Sequence, residues 1–69
     1  MAKEFTVIIE KDEEGYFIAE VPELKGCHTQ AKSLDVLMER IKEAIQLCLE
    51  VSGGKYPKTH LVGVQKVAV

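Results

Sequence analysis

The run from Asp12 to Asp35 leaves the backbone few choices. It begins inside an acidic turn, Lys11-Asp12-Glu13-Glu14-Gly15, whose glycine can supply the positive φ that closes a hairpin loop of this length. Tyr16 to Val21 then alternates, with Phe17, Ala19 and Val21 on one face and Tyr16, Ile18 and Glu20 on the other. Pro22 has no N–H to give a ladder, so it ends that strand or marks an edge. Pro22 to Gly26 reads as a loop and Cys27 to Ala31 as a short third strand. Ser33 follows as an N-cap, with Asp35 in the first turn where a negative charge favours the helix dipole.

The flanks complete the pattern. Residues 4–10 predict a first strand, in which Phe5, Val7 and Ile9 alternate with Thr6 and Glu10, and Ile8 interrupts the polar side. Leu34, Leu37, Met38, Ile41, Ala44, Ile45 and Cys48 recur at helical spacing and define the face that packs on the sheet. Gly53-Gly54 stops the helix by tolerating a left-handed cap. Residues 55–59, with Pro57, form a loop, and the valine-rich stretch from His60 to Val69 predicts a last strand. The expected class is α+β with element order β-β-β-α-β. A right-handed crossover through the helix places the last strand parallel to the third and beside the first, giving sheet order 3-2-1-4 with the helix on one face.

Size and charge narrow the function. A chain of 69 residues is expected to form one domain over residues 1–69, burying only roughly 60% of its unfolded surface. Stability from one such core is marginal without staples or a partner. The net charge is −2, and eight lysines and one arginine are spread among eleven acids without a basic run, which argues against a nucleic-acid surface. No apolar run is long enough for a signal peptide or a membrane span, so the expected location is the cytoplasm. Cys27 and Cys48 have no metal-like spacing and are expected to be reduced and buried.

Asp12, Gly15, Tyr16, Ala19, Pro22, Leu24, Gly26, Cys27, Thr29 and Leu34, followed by Glu43, Ala44 and Ile45, form an ordered set that resembles the HicB-like antitoxin family. The resemblance runs from residue 4 to about residue 50. It implies a truncated ribonuclease-H-like fold and a non-enzymatic role in a toxin-antitoxin system. It also implies a partner, a small basic HicA-type toxin that cleaves messenger RNA through a histidine and is neutralised when the antitoxin covers it. Full-length relatives usually add a C-terminal DNA-binding segment, which has no counterpart in these residues. The sequence departs from the family pattern at Ala31, where glycine is frequent, and at Val36-Leu37, where an acid and alanine are common.

A ribonuclease-H-like fold raises nuclease chemistry, which needs carboxylates converging on paired metal ions. Glu10 ends the first strand and Glu39 and Glu43 lie on the helix, but the last strand supplies no acid, so no catalytic residue is assigned. Cys27 and His28 are adjacent in a strand and point to opposite faces, so they do not share a metal or thiol site. Gly53-Gly54-Lys55 follows a helix, whereas a phosphate loop precedes one. Tyr16 and Phe17 sit among Asp12, Glu13, Glu14 and Glu20, the wrong field for stacking on RNA bases. No cofactor or metal is expected.

Surface for protein partners remains. The apolar content, 46% of residues, exceeds what one helix on one sheet can cover. Ile8, Tyr16, Ile18, Val67 and Val69 are the expected interface of a dimer or higher oligomer. Glu20, Pro22, Glu23 and Leu24 are the expected toxin contact, read as a rigid acidic loop with Leu24 as its apolar tip. The competing reading is a small homo-oligomeric structural or ligand-binding domain without a toxin.

Overall fold

A computed structural model describes residues 3–69. Among these residues β1 (Ile8–Lys11), β2 (Phe17–Glu20) and β3 (His28–Ala31) precede one helix, α1 (Leu34–Ser52). The strands pair as an antiparallel meander in the order β1-β2-β3. The α+β class, the meander and the following helix are those expected from the sequence, but each strand is shorter than its alternation predicts.

The acidic turn explains the first hairpin. Asp12 Oδ1 accepts from the N–H groups of Glu14 at 3.0 Å and Tyr16 at 2.9 Å. Gly15, at φ 90, donates its N–H to Asp12 O. The Asp12 N–H to Tyr16 O bond fixes the register, in which Ile9 lies opposite Ala19 and Lys11 opposite Phe17. Antiparallel ladders alternate bonded and non-bonded pairs. Ile8 and Glu10 therefore turn their backbone groups toward β2, and Ile9 and Lys11 turn theirs outward.

Pro22 shortens the ladder. Continued by one more bonded pair, it would place Pro22 against Thr6, and proline has no N–H to give. The Glu23 carboxylate takes the Thr6 N–H instead, at 3.0 and 3.2 Å. Beyond Pro22 the loop winds inward. Leu24 N–H bonds to Val21 O, Cys27 N–H to Leu24 O and Val21 N–H to Cys27 O.

Both helix caps match the sequence. Ser33 Oγ accepts from the Val36 N–H at 3.3 Å, and Gly53 takes the left-handed conformation at φ 68. Leu37 and Ile41 are buried against Ala19, Val21, Leu24, Cys27 and Ala31. Phe5, Val7, Phe17, Ala44, Ile45, Cys48, Leu49 and Tyr56 pack around that core. Leu34 and Met38, expected in the packing stripe, are exposed. The reason is position: α1 lies over β3 and β2, and no Cα of α1 comes within 8 Å of one in β1.

The fourth strand is a correction. Residues 60–69 form no strand, so the order 3-2-1-4, its parallel strand and the ribonuclease-H-like description are not supported. Valine enrichment gives strand propensity, but propensity becomes a strand only against a partner edge. Tyr56 packs against Phe5 with ring centroids 5.5 Å apart and ring planes tilted by 58°, and past Pro57 the chain runs on the surface.

Candidate functional site

The sheet has two unlike faces. Phe17, Ala19, Cys27, Thr29 and Ala31 face α1. The other face carries Ile8, Glu10, Tyr16, Ile18, Glu20, His28 and Gln30, and no element of the described chain covers it. Ile8, Tyr16 and Ile18 are half-buried there. Neighbouring side chains shield them: Lys32 Nζ, for example, lies 5.0 Å from the Tyr16 ring centroid. An apolar strip between Glu10 and Glu20, close to the acidic turn, suits a partner that brings cations around an apolar patch.

The structure brings Ile8, Tyr16 and Ile18 of the expected oligomer surface onto this one face. Val67 and Val69 belong to the C-terminal segment, outside the sheet, and are exposed. The Glu20–Leu24 stretch divides. Glu20 and Pro22 are exposed, but Leu24 is buried in the core, so it is no apolar tip. The inward-wound loop turns its side chain under α1. Glu23 is engaged with Thr6. Partial burial pushes its carboxyl up, yet the Thr6 backbone N–H, its own N–H and the Thr6 hydroxyl outweigh that and hold it below the usual range.

The groups weighed for chemistry do not converge. Glu10 sits on the bare face, whereas Glu39 and Glu43 are exposed on α1, beyond the other face. No cluster of three or more His, Cys, Asp or Glu side chains able to hold a metal occurs among the described residues. His28 is exposed, with Nδ1 3.0 Å from Gly26 O, while the adjacent Cys27 is buried, as opposite faces require. Both cysteines are free thiols. Burial, reinforced by the neighbouring Cys48 thiol, pushes Cys27 up to about 12, which favours the protonated thiol over the reactive thiolate.

Three contacts have no counterpart in the sequence reading. They are the Glu23–Thr6 bond, the Phe5–Tyr56 ring contact, and a 2.8 Å bond from Arg40 Nη1 to Gln30 O on the outer side of β3. Each joins residues distant in sequence, and no local spacing signals them. Gln30 does belong to a non-bonded pair with Ile18, so its carbonyl faces outward and is free to accept.

Comparison with known proteins agrees with this architecture's family resemblance. Residues 5–67 match the family described as HicB_like antitoxin of bacterial toxin-antitoxin system. A UPF0150 protein of Archaeoglobus fulgidus is 58% identical over 65 residues, 94% of this chain and 93% of its own length. A UPF0150 protein of Synechocystis is 46% identical over 67 residues, covering 97% and 96% of the two chains. One from Thermotoga maritima is 34% identical over 68 residues, covering 97% and 91%.

Proposed function

The chain belongs to the HicB-like antitoxin family, and from that premise we propose that it binds and neutralises a small, basic, HicA-type RNA-cleaving toxin by direct contact. The observation that carries the reading is the family match across residues 5–67. The bare sheet face supports it physically. Glu10 and Glu20 flank apolar Ile8 and Ile18, and Asp12, Glu13 and Glu14 crowd the adjoining turn. Negative potential of this kind steers a basic partner, and the apolar strip supplies area once the two meet.

The role is regulatory and non-enzymatic. Glu20 and Pro22 at the rim of the face are the proposed contact residues of their loop, with Glu23 holding that loop in shape through Thr6. Leu24 contributes from the core by fixing the loop. No helix among the described residues is long and apolar enough to cross a membrane. A cytoplasmic setting, where messenger RNA and such a toxin meet, belongs to the same proposal.

Co-expression tests it. A neighbouring gene encoding a small basic protein is expected to arrest growth alone and to lose toxicity beside this chain. The purified pair is expected to form a complex in which RNA cleavage is blocked. Charge reversal at Glu10 and Glu20 should slow association and weaken its salt dependence. If that neighbour is harmless alone, or stays toxic beside abundant folded protein, the antitoxin reading fails and a toxin-free homo-oligomeric domain replaces it.

A further inference from the structure

Just ahead of β1, between residues 3–5 and α1, lies a groove with an apolar floor and a lysine on each side. Lys3 and Phe5 line one side and Lys42, Ile45, Gln46 and Leu49 the other, around a groove of about 410 Å³. Apolar side chains of the neighbouring strand and helix are exposed as well. Ile9 lies opposite Ala19, the fully buried centre of β2, yet is itself 42% exposed. Met38, one helical turn before Lys42, is 47% exposed. The outward backbone groups of Ile9 and Lys11 form an edge with no neighbouring strand among the described residues. The same molecule carries a valine-rich segment that pairs with none of these strands. Leu61 to Val69 places Val62 and Val64 on one face and Leu61, Val67 and Val69 on the other, and Val62 is 99% exposed.

We propose that residues 61–69 of a second copy of this chain add as a strand along the β1 edge and fill this groove, and that the exchange is reciprocal. Tyr56 fixes where the segment starts. It is held against Phe5, with Lys58 Nζ 4.1 Å from its ring centroid, at the end of β1 that the groove flanks. None of residues 61–69 lines the groove of its own chain, and all of them are exposed. Exchange between two copies about a two-fold axis fills both grooves and both edges with identical contacts. Either face of the added strand finds apolar surface. One face meets Ile9, Met38 and Leu49, and the other extends the bare face beside Ile8 and Ile18. The match is one of apolar side chains and open backbone: residues 61–69 carry no acidic side chain and only one basic one, Lys66, beside an edge whose own charges, Glu10 and Lys11, balance.

The inference does not depend on a toxin, and its test uses the chain alone. Sedimentation equilibrium at tens of micromolar is expected to give a dimer. In a mixture of isotope-labelled and unlabelled copies, filtered NMR spectra should connect the methyl groups of Val62 and Val64 or of Val67 and Val69 in one copy to Ile9, Met38 or Leu49 in the other. Val64→Pro removes an N–H and restricts the backbone in the middle of the segment without touching the core. It should shift the equilibrium toward monomer at least tenfold while leaving the helical circular dichroism intact. A monomeric native chain overturns the proposal. So does a dimer whose tail contacts are all within one copy, or a dimer that Val64→Pro leaves unchanged.

Discussion

The two edges of the sheet are handled in opposite ways. At β3, α1 lies overhead, and Arg40 reaches over to bond the outward carbonyl of Gln30. At β1 neither α1 nor another strand covers the outer side among the described residues, and the backbone groups of Ile9 and Lys11 face outward. Exposed strand edges invite pairing, and proteins blunt the ones they do not use. The difference separates a guarded edge from one kept available, and it follows from where a single helix settles. A helix shifted over β1 would have covered Ile9 and left β3 as the edge to protect.

The largest effect comes from removing the guard. Ile41→Asp places a carboxylate in the contact between α1 and the sheet. The cost is several kcal/mol, on the order of the whole stability of a small domain. The variant is expected to lose cooperative thermal unfolding. An unchanged melting temperature would show that this helix face does not cover the sheet.

Next in size is an alkaline response at the guarded side, where Cys27 is buried next to β3. Its pKa is raised from 9.0 to about 12 by burial and then by Cys48. Below pH 9 the thiol is protonated in folded and unfolded chains alike, and the full stability is present. Between pH 9 and about 12 the unfolded thiol ionises first, so stability falls as pH rises through that window. Melting temperatures measured across it should decline more steeply for the native chain than for Cys27→Ala. Parallel declines would remove Cys27 as the cause.

Smaller again is Gly53→Val. At φ 68 a β-branched residue is strained, and the expected loss is about 1–2 kcal/mol in chemical denaturation. The change also disturbs the path from α1 to Tyr56, so it should affect the β1 side more than β3. Amide exchange rates resolved along the chain would show this asymmetry, and equal acceleration at both edges would contradict it. The smallest effect is expected for Arg40→Ala, which unguards β3 by releasing an exposed hydrogen bond. Its cost in denaturant should be about 1 kcal/mol or less. Its sharper readout is association, because a variant with two open edges should aggregate at lower concentration than the native chain. Equal solubility would mean that Arg40 does not protect the edge.

Local chemistry made much of this architecture readable. Asp12 and Gly15 specify the hairpin, and Ser33 and Gly53 specify the helix ends, because each acts within a few residues of itself. The lateral position of α1 was not readable. Leu34 and Met38 have the spacing of core residues, and only the contact over β3 decides that they stay outside. Leu24 failed for a related reason. Its loop offers a proline, an acid, a lysine and a glycine, the composition of a surface segment, yet three backbone bonds curl it inward. The last strand failed because valine content states a preference without naming the edge that satisfies it. Of the candidate site, Ile8, Tyr16 and Ile18 were legible from alternation alone, whereas the Glu23 bond to Thr6 spans 17 residues and leaves no periodic trace.

The Phe5–Tyr56 contact sets an order of events in folding. Most of the architecture joins neighbours in the chain: strand to strand in the meander, then the helix back onto β3 and β2. Contacts of short sequence separation form quickly, because little loop entropy is spent before they contribute. The Phe5–Tyr56 contact instead closes nearly the whole chain on itself, so it belongs at the end of the folding route. The C-terminal arm gains a fixed point of departure only when that ring seats, after the sheet and helix it serves are already assembled.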